Sequence, residues 1–287
     1  MSGGWAFAAV LPQKAVPAVA RRAALTALAL CPAIRKRGVD ELRRRLDPPD
    51  PHGLFLEHYK RRYEHVLGRI LDTQGRGWHP EIELTGLEHF RRAQAKGQGT
   101  ILWGMSFCGP VIAKAALFRA GIPVMHLSTP YHGGFSRSLL AARILNPWNL
   151  KSENKYLDGR IVIPMSGSME YLRLLKQRLS NNGCVSIMGE HAGRQNVSVP
   201  FLLKEERFAT GPANLARSTG ASLLTIHSFR LGPGHYRVVV EPPIETPWEE
   251  GRSQGFRTAI EEFARRLEAH VREHPADWEG WSVLPIA

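Results

Sequence analysis

Two short segments of the sequence carry side chains that could do acid–base or nucleophilic chemistry. Ser106 and Cys108 follow an apolar run at residues 100–103, and Glu190 and His191 follow a second apolar run. A helix is expected to begin after Cys108, and a helix N-terminus lowers the pKa of a nearby thiol. With His191 within reach, the two would form a nucleophile–base pair. We therefore predict four catalytic candidates: Ser106, Cys108, Glu190 and His191. The competing interpretation is that Cys108 is a small semi-buried residue and that His191 has a structural role.

Three further residues are candidates for binding a phosphate of a substrate. Arg194 lies shortly after Glu190, where it either binds a phosphate or caps a surface turn. Thr210 and Gly211 precede Pro212, and proline in a first turn favours a helix whose N-terminus either binds a phosphate or is simply capped. The 12 histidines show no metal-ligand spacing, so the sequence predicts no metal site.

The elements that must position these residues alternate along the chain. Apolar residues at helical spacing predict helices, and short aliphatic runs predict buried strands. The predicted helices are 53–72, 111–119, 136–145, 169–179, 212–218 and 254–273, and the predicted strands are 100–103, 123–127, 161–163, 184–188, 222–229 and 236–240. This alternation indicates an α/β fold with a mostly parallel central sheet flanked by helices. Ligands gather beyond the carboxyl ends of such strands, where both candidate catalytic segments lie.

The charge of the 287-residue chain is concentrated near its beginning. Lys and Arg total 38 against 26 Asp and Glu, and residues 1–46 hold nine basic and two acidic residues. A clustered basic field with interspersed apolar residues attracts polyanions. We expect a basic, helical, amphipathic N-terminal arm at 1–46 that lies on an anionic membrane surface, or else an ordinary basic surface helix. A proline-rich break separates it from an α/β domain at 53–287.

Three other classes of protein are disfavoured. The longest uncharged run of the arm, residues 23–34, is shorter than the roughly 20 residues that a membrane-spanning helix needs. The placement of its arginines does not fit a secretory signal. The 3 cysteines are widely spaced and predict no disulfide framework, which fits a reducing compartment. No nucleic-acid-binding motif accompanies the arginines, so we expect no nucleic-acid partner.

A series of short motifs carries a family resemblance through its order and spacing. The motifs are Lys96-Gly97-Gln98-Gly99-Thr100-Ile101-Leu102, Glu190-His191-x-Gly193, Val199-Pro200-Phe201, Thr210-Gly211-Pro212-Ala213-Asn214-Leu215-Ala216, Thr219-Gly220-Ala221, and Tyr236-Arg237-Val238 with Pro242-Pro243-Ile244-Glu245. Over residues 55–285 the sequence resembles the lipid A biosynthesis (lauroyl-type) acyltransferases, which belong to the lysophospholipid acyltransferase superfamily. The resemblance implies an acyltransferase-like α/β fold, peripheral on the cytoplasmic face of the inner (plasma) membrane. It also implies acyl transfer from an acyl-carrier-protein or coenzyme A thioester to a lipid or glycolipid acceptor, without a further cofactor.

The sequence departs from this family at the catalytic dyad. Family members carry a histidine followed five positions later by Asp or Glu, and the histidine acts as general base on the acceptor hydroxyl. The same register places Ser106 at the histidine position and Val111 at the acid position. A serine hydroxyl does not accept a proton near neutral pH, whereas an imidazole with a pKa of about 6.5 does. His52 and Glu57 have the family spacing, but they precede the sheet, and we interpret that match as accidental.

Two functions of different class follow from the departure. The chain is either an acyltransferase with a non-standard catalytic set or a catalytically inactive member of the family. An inactive member would act as a scaffold that binds a lipid or an acyl carrier protein. Consumption of an acyl thioester distinguishes the two, because a scaffold binds the thioester without consuming it.

Overall fold

The computed structural model describes residues 12–73, 78–129, 146–165, 167–190, 193, 195–245 and 252–281, which contain nine strands. The strands are β1 (Glu81–Thr85), β2 (Thr100–Gly104), β3 (Val124–Ser128), β4 (Gly159–Val162), β5 (Cys184–Met188), β6 (Asn196–Phe201), β7 (Lys204–Ala209), β8 (Ser222–Gly232) and β9 (His235–Pro243). Seven of them form a sheet in the order β1-β9-β8-β2-β5-β3-β4, and β6 pairs with β7 in a separate hairpin. In the large sheet only β8 and β9 pair antiparallel among the described strands. The predicted mostly parallel α/β sheet is confirmed.

Nine α-helices surround the sheet in the described residues. They are α1 (Val16–Leu30), α2 (Pro32–Arg45), α3 (Pro51–Asp72), α4 (Leu87–Gln94), α5 (Pro110–Arg119), α6 (Asn146–Asn154), α7 (Glu170–Ser180), α8 (Gly211–Thr219) and α9 (Arg252–Glu273). The start of α3 shows why the chain turns helical there. The side chain of Asp50 accepts a hydrogen bond of 2.8 Å from the backbone N–H of Gly53, and Pro51 occupies the first turn.

The strand β2 separates two apolar cores because successive residues of a strand face opposite sides of the sheet. Ile101 and Trp103 lie in the core that contains Phe263 of α9. Leu102 lies in the core that contains Ile112 of α5. Trp103 stacks on Phe263 with ring centroids 4.1 Å apart, which fixes α9 against the end of β2. The carboxyl end of β2 is therefore held from both faces.

The N-terminal arm contains two helices that pack on the rest of the chain. The buried side chains of Leu28 and Leu42 belong to the same core as Trp103. Arg45 pairs with Glu206 of β7 at 2.6 Å, and its carbonyl accepts a hydrogen bond from the backbone N–H of Leu203. No single described helix has the length and apolar composition to cross a membrane, and α1 and α2 satisfy both criteria only as a pair bent by 99°. The boundary between an arm and a separate domain stays a prediction.

Several predicted elements need correction or extension. Charged and proline-containing runs mask the apolar faces of three elements, which were therefore not predicted. These are the hairpin of β6 and β7, the strand β1 and the helix α4. The strand predicted at 161–163 begins at Gly159 and ends at Val162. The helix predicted at 136–145 lies outside the described residues.

Candidate active site

The loop after β2 holds Ser106 and Cys108 in a fixed backbone conformation. The hydroxyl of Ser228 on β8 donates to the carbonyl of Phe107 at 2.8 Å. The segment after α9, residues 274–281, is called the C-terminal segment and lies on the other side of the loop. There the backbone N–H of Glu279 donates to the carbonyl of Ser106 at 2.8 Å. The backbone N–H of Cys108 in turn donates to the carbonyl of Asp277 at 3.0 Å. Because strand, loop and C-terminal segment hold one another, the loop is positioned without a ligand.

Glu190 joins this loop from the end of β5. Its carboxylate accepts hydrogen bonds from the backbone N–H of Ser106 at 2.8 Å and from the indole N–H of Trp278. The Ser106 side chain also hydrogen-bonds to this carboxylate. Burial raises the pKa of Glu190, and these hydrogen bonds oppose the rise without cancelling it. The structure therefore brings together two of the four catalytic candidates, Ser106 and Glu190.

The residue before Glu190 must be glycine. A Cβ built on Gly189 would lie 2.2 Å from the Cζ of Phe263 and 2.4 Å from the Nε1 of Trp103. Both rings belong to the packed core behind β2, so neither can give way cheaply. The chain can leave β5 close to the core and present Glu190 to the loop only because this side chain is absent.

The expected activation of Cys108 is wrong. The thiol is buried beside the carboxylate of Asp277, and burial together with that negative charge raises its pKa well above the ordinary value. The helix α5 begins at Pro110, one residue before the predicted start at Val111, and the pKa of the thiol that precedes it is raised rather than lowered. His191, the intended base of the pair, lies outside the described residues. A neutral buried thiol is a poor nucleophile.

A small pocket lies on the other side of Cys108, between α3 and the C-terminal segment. It is partly open to solvent and is lined by His58, His65, Arg62 and Asp277, among others. Burial lowers the pKa of both histidines, so both imidazoles are neutral at pH 7. Asp277 is fully buried and accepts a hydrogen bond of 2.6 Å from Arg61 of α3. Asp277 thereby links α3 to the loop after β2.

The candidate phosphate-binding residues have different positions. Thr210 is buried, and its hydroxyl and its backbone N–H both donate to the carbonyl of Gln195, so its side chain does not cap α8. Gly211 is exposed at the start of α8. Arg194 lies outside the described residues. The role of these three residues in substrate binding stays a prediction.

Comparison with known proteins identifies the family. The model of the family described as bacterial lipid A biosynthesis acyltransferase matches residues 65–281. The chain belongs to this acyltransferase family. The phosphatidylinositol mannoside acyltransferase of Mycobacterium tuberculosis (strain ATCC 25618 / H37Rv) is 30% identical over 227 residues, covering 72% of this chain and 66% of that protein. The enzyme of the same name from Mycolicibacterium smegmatis (strain ATCC 700084 / mc(2)155) is 34% identical over 123 residues, covering 42% of this chain and 38% of that protein.

A solved structure shows a weaker likeness. The crystal structure of the 1-acyl-sn-glycerophosphate (LPA) acyltransferase PlsC from Thermotoga maritima covers 89% of this chain and 97% of that chain, at 14% identity and a TM-score of 0.38. That score supports no conclusion, so the fold rests on the strand order above. The chain spans less than two thirds of the length of these two mycobacterial relatives: 66% of the first protein and 38% of the second.

The resemblance to the lipid A biosynthesis acyltransferases is thus confirmed, and the departure from their dyad at Ser106 and Val111 stays a prediction. Val111 is buried on α5 in a small apolar cluster with Ala115 and Tyr156, an environment that disfavours a carboxylate. The ring of His52 is exposed and contacts Arg43. Two site residues of this family member, Asp277 and Trp278, were not predicted as such. They lie about 170 residues after the loop that they contact, so no local spacing could have revealed them.

Proposed function

We propose that this chain transfers an acyl group from an acyl thioester to a hydroxyl of a lipid or glycolipid acceptor. Membership of the acyltransferase family and two relatives named phosphatidylinositol mannoside acyltransferase support the reaction class. The single observation that carries the proposal is the contact between Glu190 and Ser106 at the end of β2. Glu190 is an ionisable group in contact with Ser106, the residue that the predicted register aligns with the histidine of family members. The donor is an acyl-carrier-protein or coenzyme A thioester.

Glu190 acts as the general base in this proposal. The acceptor hydroxyl attacks the thioester carbonyl while its proton passes to the Glu190 carboxylate, and the proton then goes to the departing thiolate. A carboxyl whose pKa is raised toward neutral holds a proton better than an exposed one, which makes it a more effective base. Ser106 and Trp278 orient the carboxylate through the hydrogen bonds that they donate.

Replacement of Glu190 by glutamine tests the assignment. Glu190→Gln keeps the size of the side chain and removes the base, so we expect turnover to fall about 100- to 10,000-fold. The matched control is Glu205→Gln on β7, whose side chain is exposed and hydrogen-bonds only Ser198 among the described residues. The measurement is acylated lipid formed per unit time, with circular dichroism to verify folding. Equal turnover of both variants would contradict the role of Glu190.

We further propose that the bend between α1 and α2 contacts an anionic membrane. Residues 29–37 are all exposed, and they combine the apolar side chains of Leu30 and Ile34, 76% and 44% exposed, with three consecutive basic residues at 35–37. Apolar side chains beside lysine and arginine suit the headgroup layer, where each basic residue contributes about 1 kcal/mol. This supports a peripheral location on the cytoplasmic face of the inner membrane.

Vesicle sedimentation tests the membrane contact. Leu30→Glu is expected to weaken binding to vesicles of phosphatidylglycerol and phosphatidylcholine, and binding of the unmodified chain should fall as salt rises. Leu231→Glu at the end of β8 is the control, because Leu231 is also an exposed leucine. If Leu30→Glu binds as the unmodified chain does, the membrane contact lies elsewhere.

The alternative function is a lipid- or acyl-carrier-binding scaffold. The burial of Val111 in an apolar cluster favours it, because no acid stands at the second dyad position. A scaffold binds the acyl thioester without consuming it, and Glu190→Gln would then leave binding unchanged. Turnover by the purified chain excludes this alternative.

A further inference from the structure

Three potential metal ligands from distant parts of the sequence converge behind the catalytic loop. His227 of β8, Glu241 of β9 and His270 of α9 offer ligand atoms that all lie within 4.8 Å of one another. The Nε2 of His270 and the Oε1 of Glu241 are 3.2 Å apart. Two imidazoles and one carboxylate form a ligand set that suits a divalent transition metal such as Zn²⁺.

The burial of the His227 side chain is not explained by hydrogen bonds. Its side chain is buried, with the residue 1% exposed, and neither ring nitrogen has a hydrogen-bond partner in the described part of the chain. Buried polar atoms are nearly always satisfied, so two unsatisfied nitrogens on one ring call for a partner. The ring lies 3.7 Å from the ring of His270, centroid to centroid, and its ligand atom lies within 4.8 Å of those of His270 and Glu241.

Neighbouring side chains hold the carboxylate in place, as they do around bound metals. The hydroxyl of Thr225 donates to the Oε2 of Glu241, and Arg266 donates to the Thr225 oxygen at 3.0 Å. Arg266 is itself paired with Glu262 at 2.6 Å, which offsets its positive charge near the cluster. The Oε1 of Glu241 is hydrogen-bonded to the Nε2 of His270, and a metal ion bound between these two atoms would replace that hydrogen bond.

We propose that His227, Glu241 and His270 bind one divalent transition metal ion per chain, with Zn²⁺ as the preferred ion. The side chains of Glu241 and His270 are partly exposed, which gives the ion and a water ligand access from solvent. The ring of Phe107 lies 6.0 Å from that of His227 and 6.4 Å from that of His270. A bound ion would therefore join β8, β9 and α9 directly behind the loop that carries Ser106. The site is independent of the proposed acyl transfer.

Metal binding to the full chain tests this site. After treatment with a chelator, the chain is dialysed against Zn²⁺ and its metal content measured, and Co²⁺ is then used as a spectroscopic substitute. We expect one ion bound by the cluster, visible Co²⁺ bands typical of nitrogen and oxygen ligands, and a rise in melting temperature with Zn²⁺. His270→Gln and Glu241→Gln should each weaken binding at least about tenfold, since even loss of a supporting residue has such effects.

His274→Gln is the matched control. His274 lies just after α9, one turn beyond His270, and stacks on Phe229 with ring centroids 4.2 Å apart, outside the cluster. It should bind Zn²⁺ and gain thermal stability as the unmodified chain does. The proposal is overturned if the unmodified chain binds no Zn²⁺ or Co²⁺, or if His270→Gln and Glu241→Gln bind as tightly as His274→Gln. Because His270 and Glu241 are partly exposed, their variants are expected to fold, which the melting curve without metal verifies.

Discussion

Asp277 connects the loop after β2 to two other parts of the chain, and its removal should cost the fold a large part of its stability. Its Oδ1 accepts a hydrogen bond of 2.6 Å from the guanidinium of Arg61, and its Oδ2 accepts one of 3.1 Å from the backbone N–H of Arg230. The carboxylate is completely buried. Asp277→Ala therefore leaves a partly buried cation and a backbone donor without this acceptor.

The expected loss can be worked from these contacts. A hydrogen bond to a charged acceptor contributes about 1.5 to 3 kcal/mol, and breaking a buried ion pair costs about 3 to 5 kcal/mol. Arg61 is one quarter exposed and keeps Glu57 as a second partner at 3.2 Å, so water and Glu57 recover part of the loss. We expect the free energy of unfolding to fall by about 3 kcal/mol, which corresponds to a melting temperature lower by about 5 to 10 °C.

Asp158→Ala is the control for this prediction. Asp158 also pairs with an arginine at 2.6 Å, Arg178, but its side chain is 43% exposed. Exposed ion pairs contribute about 0 to 1 kcal/mol, so its melting temperature should change little. Thermal unfolding followed by circular dichroism compares the two variants. Equal shifts would refute the reasoning that burial of Asp277, rather than the ion pair itself, carries the stability.

The remaining predictions concern the thiols, the loop glycine and the base. In the native protein Cys31 is exposed and should react rapidly with a thiol reagent. Cys108 should react only on unfolding, because burial raises the pKa of its thiol. Mass spectrometry locates the labelled cysteines, and rapid labelling of both would contradict the raised pKa of Cys108. Gly109→Ala should lower the free energy of unfolding far more than Gly97→Ala does. Both glycines have a positive φ, but of the two only a Cβ on Gly109 would meet a side chain, the Nε2 of His65 at 1.6 Å. Urea unfolding of the two variants checks this prediction. Turnover should rise with pH through an apparent pKa above 4.5, because Glu190 is active as the carboxylate and its pKa is raised. A pH–rate profile whose acidic side has an apparent pKa at or below 4.5 would contradict the role of Glu190 as base.

The central sheet was predictable because its strands are local in sequence. The run Cys184–Met188 was predicted with the bounds that the structure has, since four of its five residues are apolar and so short an apolar run is typical of a buried strand. The hairpin of β6 and β7 was missed because β7 reads as a charged run, and only Phe208 on it is buried. Tertiary packing rather than local pattern makes that segment a strand.

The candidate site was predictable only in part for the same reason. Ser106 and Glu190 follow strands, and the rule that ligands gather at carboxyl ends of parallel strands locates both. Asp277 and Trp278 reach the site from the far end of the chain. The direction of the Cys108 pKa also depends on that contact, because a helix N-terminus and a buried carboxylate have opposite effects on a thiol. Sequence alone shows the first effect and not the second.

The central claim, acyl transfer without the histidine of the family, is tested most directly by the fate of an acyl thioester. The purified chain is incubated with long-chain acyl thioesters, with and without a crude lipid acceptor, while thioester consumption and the intact mass of the chain are followed. We predict consumption that depends on the acceptor, an acylated lipid product, and no stable acyl adduct on the chain. No consumption across several chain lengths would contradict the account and leave a binding protein built on an acyltransferase fold.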